Sequence, residues 1–547
     1  MHIQMISITF VKEYYGKPDK IFFSMKKTIF SIILILCTTI SLQAQTQGVN
    51  IGKTIDGDSV MAEKKELPYP IYQINGGNSN TLAILMAVKE TSAFSFSSSV
   101  TSVSALDKAT KEIRWTVEKK GVITNARPTS HGILINHSNK TIMLDDKDGH
   151  ERWSIKLYPT YMNDSLDIIM GYKTNATSDS KLKAYRLSTG QMIWETKVKH
   201  SVSWGWNDAQ MLPDKRILVV ADDINVINIQ TGALQTYDAK TGFSDVKSSI
   251  LMGLAMAAGA VAGAAIAGGV GGYYYIPTYG QNVINGLSSN ILQMDSCYFI
   301  ADRNELRCFN SDMQMKWTYS YPTEKASASV LYGEHNTVYM LNFGYGLRNG
   351  NNKVKHSKPF IASFNALTGE PFFFNTLKMK KDIVEDAFIA PWESFILFDD
   401  GMAYQRDIND SVITITPWNT KEHGELVECL HNTAYVYNEG THSFEAIAYD
   451  GHDCPVFTSK GDLMIIDKDL NISKRYDTST LYGIRFKKDD YACIRKRVTK
   501  NLYRYWFIQE AGLPIIEFTA LFNDMEMMGN DVFLVEGNNL LFFELVR

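Results

Sequence analysis

The residues best placed to do chemistry are few and scattered. Asp145-Asp-Lys-Asp-Gly149 sets carboxylates at the spacing of a calcium loop, but Leu144 occupies the first ligand place, so the segment reads as a turn. His150 and His452 sit beside turn glycines, and the eleven histidines include no pair at metal-ligand helix spacing. There is no G-x-S-x-G, H-E-x-x-H or P-loop, so acyl transfer, zinc hydrolysis and phosphate cradling lack their usual residues. No catalytic, cofactor-binding or metal-ligating residue is assigned, and no cofactor is expected. Cys297, Cys308, Cys429, Cys454 and Cys493 lie beyond the first 44 residues, an odd number that does not make a disulfide framework. Cys297 and Cys308 flank the turn-like Ala301–Glu305 and are candidates to face each other across a hairpin or to be two core thiols.

The elements that position these residues repeat. Ala105-Leu-Asp-Lys-Ala-Thr-Lys111 is followed by Trp115, and Met143-Leu-Asp-Asp-Lys-Asp-Gly149 by Trp153. Ala184-Tyr-Arg-Leu-Ser-Thr-Gly190 is followed by Trp194, and Ser363-Phe-Asn-Ala-Leu-Thr-Gly369 by Phe373. Val226–Gly232 repeats the turn with Tyr237 one place late, and Cys308-Phe-Asn-Ser-Asp precedes Trp317 without a glycine. The unit is an alternating strand, a turn whose Gly supplies positive φ, and a second strand bearing a large aromatic. Trp115, Trp153 and Trp194 recur at the length of one four-stranded sheet with its turns. Such a sheet cannot bury its faces alone and must stack on neighbours, with the aromatic filling the wedge between them. The predicted blade-packing aromatics are therefore Trp115, Trp153, Trp194, Tyr237, Trp317 and Phe373, over the turn glycines Gly149, Gly190, Gly232 and Gly369.

These segments resemble the repeats of quinoprotein-like (PQQ-like) β-propellers, whose pattern is a small residue, Asp, a variable pair, Thr-Gly and then Trp. The resemblance is good over residues 95–240. It implies an all-β fold and a single propeller of four-stranded blades; the chain length, at about 45 residues per blade with several blades elongated, sets the expected number at eight within a range of seven to ten. Quinoprotein dehydrogenases of this fold hold their cofactor with adjacent cysteines and calcium. No adjacent cysteine pair is present here, so PQQ-dependent activity is not expected. The chain instead resembles the non-enzymatic propellers of the bacterial cell envelope. Residues 45–75 are expected to supply the strand that completes the last blade.

Two segments depart from the repeat. Met25-Lys-Lys, the apolar run Ile29–Cys37 and the small Ala44 read as a signal peptide over 25–44, with 1–24 an over-extended start and cleavage before Gln45. Ile250–Gly272 has no charge, and Ala255, Gly259, Gly263, Ala267 and Gly271 recur every fourth residue. On a helix they form a smooth contact ridge. The segment is expected to be a helical insertion, 246–281, within a propeller spanning 45–547. It serves as a lid, as shallow membrane contact or for self-association. Asp58-Ser-Val60, Asp164-Ser-Leu166 and Asp410-Ser-Val412 resemble an O-glycosylation motif of exported bacterial proteins.

Net charge is -4, and residues 1–44 contribute +3, which leaves -7 for the remainder; an acidic chain without a basic stripe excludes nucleic acid as the main partner. Taken together, the chain reads as an exported, non-catalytic scaffold, periplasmic, outer-membrane-associated or secreted, that binds a protein partner in the envelope. The alternatives are a ligand-binding or enzymatic propeller acting at its central channel, and a membrane-associating or self-assembling protein using the ridge.

Overall fold

The structure is a computed structural model that describes residues 47–545, apart from 88–99, 201–205, 242–271, 275–286 and scattered loop positions. It is built almost entirely of antiparallel strands in up-and-down order. The first sheet shows the plan: Ile71–Asn75, Thr81–Ala87, Val100–Asp107 and Ile113–Glu118, each hydrogen-bonded to the next. All seven side chains of Thr81–Ala87 are buried, because this strand is covered on both faces by neighbouring sheets. The last strand of a sheet alternates instead: in Met192–Lys197 only Trp194 is buried.

Seven further sheets follow the same plan in chain order, spanning residues 123–155, 158–197, 208–237, 292–320, 329–376, 387–417 and 426–477. The third gains a fifth strand, Gly272–Tyr274, paired to Tyr161–Asn163 at its first strand. The sixth carries a hairpin, Tyr345–Arg348 with Asn352–Lys355, between its second and third strands. The eighth contributes the hairpin Ala434–Asn438 with Ser443–Ile447 to the terminal sheet. That terminal sheet has eleven strands. Within it, Ser59–Glu66 pairs with Asn539–Glu544, so a strand from the start of the chain completes the last quartet (Glu63 opposite Phe542).

These repeated four-stranded antiparallel sheets form an all-β propeller. Its core is a series of clusters lying between consecutive sheets. One packs Ala83, Leu85 and Trp115 of the first sheet on Ile133, Ile135 and Leu144 of the second. Another packs Val60, Ala62, Phe518, Phe533 and Phe542 where the two chain ends meet. Helix is confined, among the described residues, to Thr420–His423 and a 3-10 turn, Thr478–Thr480. No helix among them is long and apolar enough to cross a membrane. Of the expected insertion 246–281 only 272–274 is described; Ala255, Gly259, Gly263, Ala267 and Gly271 lie outside the described residues.

Cys297 and Cys308 stand on adjacent strands, but Phe299 is opposite Cys308, which places the two thiols diagonally; both are free. Cys308 is buried beside Cys297, and burial pushes its thiol up to about 12.

Candidate functional site

The residues that repeat along the chain converge on one construction, a seam between consecutive sheets. Its turn half is local. Asn228 Oδ1 accepts from the backbone N–H groups of Gln230 and Thr231, both at 3.0 Å, and the Gly232 N–H donates to the Asn228 carbonyl at 2.8 Å. Asn365, Leu367, Thr368 and Gly369 repeat these bonds, as do Asp107, Ala109 and Thr110 at the first turn. The Asp or Asn is needed because its side chain closes the turn that the backbone alone leaves open. Where Arg186 stands in that place, Asp167 reaches across from the neighbouring hairpin and accepts from the Ser188 N–H at 2.6 Å.

The second half comes from the preceding sheet. Trp194 of the third sheet lies over Gly232 of the fourth, and its indole N–H donates to the Ile229 carbonyl at 2.7 Å. Trp153 does the same over Gly190, donating to Leu187 at 3.0 Å, and Trp115 over Gly149, donating to Asp146 at 2.9 Å. Trp317 lies over Gly369 and donates to Ala366 at 3.0 Å. In each case the acceptor is three residues before the glycine. A Cβ on Gly232 would stand 2.6 Å from the Trp194 ring, and the backbone there has φ +73°. Close approach and positive φ both demand glycine.

Departures from the motif have physical reasons. Lys111 occupies a glycine place with φ +60°, and among the described residues its side chain meets Phe533 and Phe542 rather than an indole. Its ammonium pairs with Asp531 at 2.5 Å and lies 4.8 Å from the centre of the Phe533 ring, while Lys65 donates to the Lys111 carbonyl at 2.7 Å. This polar seam joins the last quartet to the first sheet. Tyr237 packs on Phe309 with ring centres 4.8 Å apart, and its hydroxyl donates to the Met313 carbonyl. Phe373 is half-buried against the cluster of Val330, Leu341 and Tyr345. Trp418, which lies outside the repeat read from the sequence, follows the last strand of the seventh sheet, donates to the Gly424 carbonyl at 2.7 Å and packs on Cys429 and Val456 of the eighth. Its signal was a Trp directly after an alternating strand.

A second set of polar contacts ties first strands together. Asp208 accepts from the Ala209 N–H at 2.8 Å and from the Ile291 N–H of the fifth sheet at 2.9 Å. Burial pushes its carboxyl up to about 6. Asn290 takes the Leu331 N–H at 2.7 Å and donates back to its carbonyl at 3.1 Å, as a strand would. The buried pair Asp302–Arg307, 2.7 Å apart, is likewise structural, since Asp302 also caps the turn through the Asn304 and Glu305 N–H groups.

Asp145, Asp148 and His150 form the one metal-capable cluster among the described residues. Its oxygens serve the turn: Asp145 accepts from the Lys147 N–H at 2.8 Å, and Asp148 from the His150 N–H and ring. Hydrogen bonding to His150 holds the Asp148 carboxyl below its ordinary range.

What this arrangement does is hold sheets in a fixed ring and present their outer strands and turns. Four-stranded sheets locked by an indole over a glycine define a PQQ-like β-propeller. Within that class, residues 61–271 match the family model described as outer membrane protein assembly factor BamB, which is under half of the chain. No curated protein matches the sequence. Among solved structures, BamB from Moraxella catarrhalis aligns with 78% of this chain and 98% of its own at 13% identity, with a TM-score of 0.30. The computationally designed Ika8 protein covers 86% and 100% at 10% identity and a TM-score of 0.27. Saccharomyces cerevisiae Sqt1 covers 88% and 98% at 8% identity and a TM-score of 0.28. The strand ladders and the indole-over-glycine seams themselves make the propeller.

Proposed function

We propose that this protein is an exported, non-catalytic propeller scaffold that binds a protein partner in the cell envelope. The observation that carries the reading is the use of the repeated residues: the aromatics, glycines and carboxamides of the motif are spent on seams. The match of residues 61–271 to the BamB family model supports an envelope assembly role. Residues 25–44 act as the signal peptide, Gln45 begins the mature chain, and 246–281 is an insertion within the propeller. The outer rim offers apolar contact: Phe372, Leu367, Met192 and Met315 are 61%, 59%, 57% and 51% exposed. Met315 and Leu367 belong to the two sheets joined at the Trp317 seam.

The test is cross-linking and capture of the full-length protein from envelope extract, in parallel with Phe372→Glu and with a form lacking 246–281. One partner captured by the parent and lost with Phe372→Glu supports the rim. Loss only on removing 246–281 moves the contact to the insertion. A cytosolic protein retaining Met1 overturns both export and the envelope role.

A further inference from the structure

Of the five cysteines beyond residue 44, four are buried and Cys297 is half-buried. Cys297 opens the second strand of the fifth sheet, Cys297–Ala301, directly after the two-residue turn Asp295-Ser296. Cys308 lies on the third strand, Glu305–Phe309. It stands opposite Phe299, and residues two apart on a strand share a face, so both thiols are on one face of the sheet. They pack into the cluster shared with the sixth sheet, beside Leu331, Val338 and Met340. The two side chains interact directly: burial first, then the neighbouring Cys297, pushes the Cys308 thiol up. From the fourth strand, the Lys316 ammonium donates to Cys297 Sγ at 3.5 Å.

Access separates this pair from the other cysteines. Cys429 is opposite Val456, so Cys429 and Cys454 are diagonal in the same way, but both are buried and neither offers a sulfur to an incoming reagent. Cys493 is fully buried in the terminal sheet. Diagonal neighbours on antiparallel strands stand about 7–8 Å apart between Cα atoms, slightly beyond the span of an unstrained disulfide. A bond between Cys297 and Cys308 must therefore draw the start of a strand inward, which its place beside a turn allows. Strain of that kind makes a disulfide easier to reduce, as suits a bond that exchanges rather than one that staples a fold.

We propose that Cys297 and Cys308 form a dithiol site that exchanges with disulfides, Cys297 attacking and Cys308 resolving. The Cys297 thiolate attacks one sulfur of the incoming disulfide, whose other half leaves as a thiolate and takes up the proton that Cys297 gave to solvent. Cys308 then attacks Cys297 Sγ in the mixed disulfide. The internal bond closes, and the second half of the reagent leaves with the Cys308 proton. Two protein thiols are oxidised and one disulfide is reduced to two thiols. A buried thiol is a slow nucleophile in solution, but Cys308 is held against its target. Both steps pass through Cys297 Sγ, where Lys316 supplies a counter-charge. The exchange is a property of the isolated chain, and it succeeds or fails whether or not the protein is exported or has a protein partner.

Incubation of the reduced mature chain (residues 45–547) with glutathione disulfide, followed by alkylation and peptide mass spectrometry, tests it. The protein should lose two of its five thiols, with Cys297 joined to Cys308. Reduced glutathione in excess should restore both thiols without unfolding. Cys308→Ala should leave glutathione fixed on Cys297 as a stable mixed disulfide. Cys297→Ser, a change at a half-buried position, should lose no thiol and carries the test if Cys308→Ala unfolds. Glutathione remaining on Cys297 of the parent, a bond from Cys297 to any other cysteine, no loss of thiol, thiol loss unchanged in Cys297→Ser, or an internal bond that persists in excess reduced glutathione each overturns the proposal.

Discussion

Asp208 shows how one residue can carry a measurable signature of the fold. Its carboxyl accepts backbone N–H bonds from its own sheet and the next, yet burial outweighs them and raises it from 3.8 to about 6. The folded protein therefore binds this proton more tightly than the unfolded chain. Its contribution to stability is greatest at or below about pH 4, falls as pH rises toward 6, and stays lost above that. The full difference is at most about 3 kcal/mol. Asp208→Asn removes the titration and turns one amide N–H toward a backbone donor, a cost that does not change with pH. The melting temperature of Asp208→Asn relative to the parent should accordingly rise between pH 4 and pH 7. A constant difference across that range would mean that water reaches this carboxyl freely.

At the scale of the element, the seam couples an indole in one sheet to a glycine in the next. Trp153→Ala and Trp194→Ala should each cost about 3–5 kcal/mol, because each empties a buried wedge and orphans a carbonyl acceptor. Gly232→Ala should cost about 1–2 kcal/mol in left-handed backbone strain and about 1–3 more for overlap with the Trp194 ring. Gly461 has φ +84° with open space where a Cβ would go, so Gly461→Ala should cost the strain alone. Combining Trp194→Ala with Gly232→Ala should be clearly less than additive in chemical unfolding, since the first change makes room for the second. Additive losses would show that ring and glycine do not touch. The same logic explains Lys111: with Phe533 and Phe542 beside it rather than an indole, the position tolerates a side chain and uses it to reach Asp531.

For the whole molecule, the decisive contact joins the two ends of the chain. Deleting 47–66 removes Val60 and Ala62 from the cluster with Phe518 and Phe533 and bares the edge of Asn539–Glu544. An open apolar edge invites intermolecular pairing, so the truncated protein should aggregate or lose its cooperative melt. Replacing 246–281 by a short polar linker should leave the propeller folded, because loop length alters closure entropy only slowly. Limited proteolysis and calorimetry of the two deletions decide this. A stable protein without 47–66, or an unfolded one without 246–281, would reverse the assignment of closure and insertion.

Much of the seam is local chemistry and was legible along the chain. Strand alternation, the Asp or Asn that closes a turn, the glycine at positive φ and the aromatic four residues later all lie within one short segment. That is why Trp153 and Trp194 stand out along the chain, and Trp115 and Trp317 follow from the same spacing although Lys111 and Met313 stand in the glycine place. Trp418 escaped because its glycine partner follows within its own loop, outside the repeat. Tertiary structure alone decided the rest: Asp167 standing in for the carboxylate that Arg186 lacks, Lys65 and Lys111 replacing an indole seam, and Ala434–Asn438 joining the terminal sheet. That a strand from residues 45–75 completes the last quartet was expected from the sequence; the register that sets Glu63 opposite Phe542 was decided only by the tertiary structure. Backbone hydrogen bonds are the same at every position, so a strand's sequence states which face is apolar but not which residue of a distant strand it will meet. That choice belongs to the closed ring, where the last edge has one partner left.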